Sequence, residues 1–127
     1  EEARGRQAFH AVDEYLLVTV RHRVLLFKAV PESCALTHPQ HALVLEWDIA
    51  ASDVWLSRQP LLLLALSGST VHVLFADSER KTELEHDNAC FVCGDRGVVV
   101  SASWDSIRAC DVTRELPVLL CEMPWTE

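Results

Sequence analysis

Cys90-Phe91-Val92-Cys93, with His86 four residues before it, is the grouping in this sequence that comes nearest to metal chemistry. Two thiolates and an imidazole suit a tetrahedral zinc ion, which takes four such ligands. No second CxxC supplies the rest of the set. On an extended strand, residues 90 and 93 also point to opposite faces. The pair is therefore read as two small residues of a packed strand, with no metal and no cofactor assigned, and a zinc site with His86 stays as the alternative. A redox dithiol belongs at the start of a helix, and the pattern around Cys90 is not helical.

Other reactive residue types give no site on their spacing. His38-Pro39-Gln40-His41 places two histidines in a proline-containing loop, read as surface. His72 stands within an apolar strand and is read as packed there. Ser103 and Asp105 have the composition of a hydrolytic pair, but no Gly-x-Ser-x-Gly elbow surrounds the serine. They are read as a structural corner, and Asp87 beside His86 as a cap or turn. The four glycines are dispersed and form no phosphate-cradling loop. No catalytic residue is assigned, and the chain is expected not to be an enzyme.

The aromatic residues offer binding chemistry instead. Tryptophan and arginine are enriched where proteins bind one another. Of Trp47, Trp55, Trp104 and Trp125, two have an arginine close by in sequence: Trp55 with Arg58, and Trp104 with Arg108. These four residues are the candidate partner contacts.

Charge narrows the partners. Nineteen acidic against eleven basic residues give a formal net charge of −8, which repels a phosphate backbone. Nucleic acid is not an expected partner. The longest apolar run, Pro60 to Leu66, is far shorter than the roughly 20 residues of a membrane helix, so no membrane span is expected. Five cysteines, an odd number, with no apolar leader after Glu1-Glu2-Ala3-Arg4, point to reduced thiols and an intracellular protein, cytoplasmic or nuclear. The first residue is not Met, and the chain is expected to be a piece of a longer protein.

The elements that must position these residues have a period of two. Tyr15–Val20, Arg23–Phe27, Leu61–Leu66, Thr70–Phe75 and Val98–Val100 read as strands, rich in residues that suit a pleated surface. The leucine run follows Pro60 and stops at Ser67-Gly68-Ser69, which favours strand over helix. Three units recur: residues 13–28, 59–76 and 95–111. Each is a polar turn, an apolar strand, a tight corner and a second strand. The corners centre on Arg21-His22, Gly68-Ser69 and Asp105-Ser106. The second strands end at Phe27, Phe75 and Cys110, 48 and 35 residues apart (27 to 75, 75 to 110). That spacing brackets the roughly 40–45 residues of a four-stranded propeller blade. Fourth strands are expected at Ala42–Trp47, Lys81–Glu85 and Val118–Glu122, and first strands at Gln7–Val12, Asp53–Leu56 and Ala89–Cys93.

The third unit carries a family resemblance. Asp95-Arg96-Gly97, then Val98-Val99-Val100-Ser101-Ala102-Ser103-Trp104-Asp105, then Ile107-Arg108-Ala109-Cys110-Asp111-Val112 resembles a WD40 blade, with Cys110-Asp111 standing where Trp-Asp is usual. His86, 24 residues before Cys110, matches the family's loop histidine. The resemblance implies a structural hydrogen-bond network on His86, Ser103 and Asp105. It also implies a non-enzymatic scaffold that presents loops and edges to other proteins.

The expected fold is all-β: a single domain over residues 1–127, with three blades near 7–47, 52–86 and 89–122. Each blade is an antiparallel four-stranded sheet. Closed propellers hold about four to eight blades, so three form an incomplete propeller. The remaining blades, in the same or another chain, are expected partners. The alternatives are a β-sandwich binding domain, or part of a propeller enzyme whose active site lies outside this segment.

Overall fold

The computed structural model describes residues 9–30 and 40–124. The proline-containing loop with His38, the opening residues of the first expected strand, Cys34 and Trp125 lie outside them. Twelve strands follow one another: β1 Phe9–Val12, β2 Tyr15–Val20, β3 Arg23–Val30, β4 Gln40–Trp47, β5 Asp53–Ser57, β6 Leu62–Ser67, β7 Thr70–Phe75, β8 Lys81–Glu85, β9 Ala89–Asp95, β10 Val98–Ser103, β11 Ser106–Asp111 and β12 Val118–Pro124. No helix occurs among the described residues.

The strands form three antiparallel sheets, each made of four consecutive strands in order: a first sheet β1 to β4, a middle sheet β5 to β8 and a third sheet β9 to β12. That arrangement is blade-like and incomplete, with no sheet closed on itself. A β-sandwich would need two sheets sharing strands from across the chain, and this is not what the pairing gives.

Turn chemistry sets the corners. β2 and β3 meet around Arg21-His22, where Val20 pairs Arg23 and Arg21 takes the left-handed backbone, φ +59°. β6 and β7 meet around Gly68-Ser69, with Gly68 at φ +63°. The β9–β10 hairpin uses Arg96 and Gly97, both at positive φ, as a two-residue primed turn demands. The β10–β11 corner sits at Trp104-Asp105, one residue earlier than the sequence indicated. Ser103 accounts for the shift. Its Oγ accepts the backbone N–H groups of Asp105, at 3.1 Å, and Ser106, at 3.2 Å.

Two apolar layers lie between the three sheets. Between the first and middle sheets, Leu17, Val24, Leu26 and Trp47 pack on Val54, Leu56, Leu63, Ala65 and Leu74. Between the middle and third sheets, Leu62, Leu64, Leu66, Val71, Val73 and Phe75 pack on Ala89, Val92, Val99 and Val112. Successive residues of β6 therefore serve different layers. This is why its apolar residues run without interruption from Leu62 to Leu66: a strand covered on both faces has no polar side to show. The burial of β6 is continuous through Leu62–Leu66, whereas in β10 only Val99, Ser101 and Ser103, every second residue, are buried. Each fully buried leucine contributes about 1.5–3 kcal/mol relative to exposure.

The third sheet approaches the middle one closely at Gly94. A Cβ there would stand 2.7 Å from the Val98 carbonyl oxygen and 3.1 Å from Leu64 Cδ1. Gly94→Ala should destabilise by about 1–3 kcal/mol. Gly68→Asn should stay within about 1 kcal/mol, because its corner is open and asparagine tolerates the left-handed region. Urea denaturation followed by tryptophan fluorescence reads both; equal losses would refute the close approach at Gly94.

Candidate functional site

The first strands of the three sheets, β1, β5 and β9, each pair on one side only. Their free edges carry backbone N–H and C=O groups that need partners when partly buried. For β5 and β9, side chains from the preceding sheet supply them. His10 on β1 accepts the Leu56 N–H of β5 through Nδ1 at 2.8 Å. Asp53 on β5 accepts the Val92 N–H of β9 at 2.9 Å. Trp55 on β5 donates its indole N–H to the Gly94 carbonyl of β9 at 3.0 Å. The His10 and Trp55 rings stack at 3.8 Å between centroids, which links all three sheets along one line.

A pocket of about 480 Å³ opens along that line, lined by His10, Val12 and Asp13 from the first sheet, Trp55, Leu56 and Arg58 from the middle one, and Gly94 and Asp95 from the third. Arg58 Nη1 lies 4.0 Å from Asp13 Oδ1, both well exposed, and its backbone carbonyl accepts the Arg96 N–H at 2.9 Å. The pocket combines one aromatic face, one guanidinium and two carboxylates.

Trp55 and Arg58 therefore meet in one pocket, but the tryptophan is engaged: one face carries His10 and its N–H holds β9. Trp104 and Arg108 lie toward the other end of the third sheet, near the β10–β11 corner. Trp104 is 78% exposed. Arg108 ties strands together. Its Nη1 donates to the Glu85 carbonyl at 2.7 Å and its Nε to Glu122 at 2.8 Å. It lines a groove of about 320 Å³ between the outer strands of the middle and third sheets, beside Leu84, Cys110 and Leu119. The two Trp–Arg pairs do not form one surface.

His86 is buried, with Nδ1 2.7 Å from Ser101 Oγ and Nε2 3.1 Å from Ser106 Oγ. The serine opposite the ring is thus Ser101, two residues before Ser103 and on the same face of β10. Ser103 organises the corner, as above, where Asp105 lends its backbone N–H. Cys90 donates to the Ala102 carbonyl at 3.7 Å. Burial, and then the Asp53 carboxylate, push the Cys93 thiol up. Among the described residues no three His, Cys, Asp or Glu side chains gather as a metal site. His72 stands edge-on to Trp47 at 6.3 Å and 3.6 Å from Glu83, and His41 is exposed on β4.

The roles of His10 and Asp53 were not visible to sequence reasoning. Their one signal is a polar residue inside an otherwise apolar first strand.

No family model, no curated protein and no solved structure matches the chain.

Both imidazoles, His10 half-buried and His86 buried, are biased toward the neutral form. Burial lowers the pKa of His10, and an Nδ1 that accepts a hydrogen bond carries no proton. Burial lowers that of His86 as well, followed by the Arg108 charge, with Glu122 and Asp87 opposing. In the unfolded chain each ring titrates near 6.5, above its folded value. Their contribution to stability is complete above about pH 6.5 and declines as the pH falls through that value toward their folded values. The urea midpoint should hold between about pH 8 and pH 7 and fall between about 6.5 and 5. A His10→Asn/His86→Asn double variant should flatten that fall; an unchanged slope would show that other groups cause it.

Proposed function

We propose that this chain is a non-enzymatic protein–protein interaction scaffold, a WD40-like propeller segment of a larger protein or complex. The observation that carries this reading is the contrast between covered and open sheet faces. Strands β5, β6 and β7 of the middle sheet are mostly apolar and buried on both faces. The inner strands of the first and third sheets, β2, β3, β9 and β10, are buried on one face and carry apolar residues on the other as well.

On the open side of the first sheet stand Phe9, Leu16, Val18, Leu25 and Phe27, and on that of the third stand Phe91, Val98, Val100, Ala102 and Ile107. None of them is buried. Phe9 is 63% exposed and Phe91 is 45% exposed. Contiguous exposed apolar residues mark surfaces that take a partner. The acidic surface adds solubility and disfavours polyanions. The pocket presents an aromatic face, a guanidinium and carboxylates, groups that suit recognition.

The test is a photoreactive phenylalanine analogue placed in turn at Phe27, Phe91 and, as a control in an exposed turn, Arg114, in the chain as expressed in cells. Protein adducts should form at Phe27 and Phe91 and not at Arg114. Equal yields at all three positions would sink the reading.

A further inference from the structure

We infer that the groove between the outer strands of the middle and third sheets takes an aromatic side chain, flanked by lysine or arginine, from an extended segment of another protein. The inference rests on the reading of this chain as a binding scaffold, and it names one surface and the chemistry that fits it.

The seam between the first and middle sheets shows what the seam between the middle and third lacks. In the first sheet Val20 and Arg23 flank the corner, and the next residue, Val24, pairs with Trp47. In the middle sheet Ser67 and Thr70 flank the corner, and the next residue, Val71, pairs with Leu84. Trp47 and Leu84 therefore hold one equivalent position, each on the side of its sheet that meets the next sheet. The opposite walls correspond as well. His72 is the third residue of β7 and pairs with Glu83; Arg108 is the third residue of β11 and pairs with Glu122. Each meets that carboxylate, His72 at 3.6 Å and Arg108 at 2.8 Å.

What fills the forward position separates the two seams. In the first, the Trp47 indole is 7% exposed and stands edge-on to His72. In the second, Leu84 has no ring to set against Arg108, and a groove of about 320 Å³ remains. Clefts that hold ligands span about 300–1,000 Å³. Leu84, Pro117 and Leu119 give the groove apolar walls over Cys110. Arg108 is fixed by its hydrogen bonds to the Glu85 carbonyl and to Glu122. Those bonds lie in the guanidinium plane and leave its face to an aromatic ring, on which guanidinium groups stack.

Charge selects the neighbours of that ring. Glu83 and Glu85, both exposed, line the groove, and Arg108 is already paired with Glu122. A lysine or arginine beside the ring answers these carboxylates. The chain's own exposed Trp104 is followed by Asp105, which carries the wrong sign, so a second copy fits the groove poorly. Both walls are sheets of this chain, so further sheets at either end would leave the groove open.

The probe is the tripeptide lysine–tryptophan–lysine, capped at both ends, titrated into the 127-residue chain and followed by amide chemical shifts. Saturable shifts should appear at Leu84, Arg108 and Leu119 and not at Phe27 or Phe91. The same peptide with alanine for tryptophan should bind about fivefold more weakly, for want of the ring. Glutamate for both lysines should weaken binding about threefold. Leu84→Trp places in the second seam the residue that fills the first. It should abolish the saturable shifts at Arg108 and Leu119 and keep the native circular dichroism. Should that variant unfold, Leu119→Ser takes its place and should weaken binding about threefold. Equal binding of either control peptide, binding that the folded variant leaves unchanged, or shifts spread over the open faces would overturn the inference. So would groove shifts that grow with chain concentration without peptide, which mark a second copy. A silent groove in a chain that still gives protein adducts at Phe27 and Phe91 overturns the groove alone and leaves the scaffold standing.

Discussion

The constraint on which the rest of the structure depends is the free edge of the first strands of the middle and third sheets, β5 and β9. An open strand edge exposes hydrogen-bonding groups that must be paired, covered or left in water. In this protein those edges lie in the seam between sheets, where neighbouring backbone comes close and water is partly excluded. The solution is a side chain from the sheet before: His10 for Leu56, Asp53 for Val92, Trp55 for Gly94. Each such bond is worth about 0.5–1.5 kcal/mol net, and leaving its buried partner unmade costs more. The bonds also do something that apolar packing does not. They are directional, so they fix how one sheet lies in register against the next.

Packing follows from that placement. With the seam fixed, the leucines of β6 divide between two layers, and the middle sheet becomes the most thoroughly buried part of the chain. Gly94 lets β9 come close to Leu64, and the indole of Trp55 reaches its carbonyl. The polar bonds and the apolar layers thus depend on the same close approach. The outer strands are held differently. Arg108 reaches from β11 to the Glu85 carbonyl and to Glu122, and His86 joins the start of the third sheet to Ser101 and Ser106. These contacts tie the third sheet to the segment that precedes it.

The open faces are where structure meets function. A sheet that is apolar on both sides but covered on one has a use for its second side, and that is the physical content of the scaffold proposal. The acidic surface shapes which partner fits. It disfavours a partner that carries the same sign of charge.

Much of the fold was legible in the sequence. Period-two patterning, the glycine and polar corners and the recurrence of three units placed the strands to within a few residues, because strand alternation and turn chemistry are local properties of the chain. Leu61–Leu66 was read as strand against its helical propensity on flanking residues alone. The roles of the site residues were not legible. Whether Trp55 is exposed or engaged, and whether His86 meets Ser101 or Ser103, depends on distances between residues many positions apart. A polar residue in a strand carries no mark of the neighbour it will cap. The sequence by itself determined the strands, their corners and their apolar faces, since each follows from a few adjacent residues. Only the tertiary structure decided which faces are covered, which edges are capped and which side chains remain free, because those are properties of sheets brought against one another.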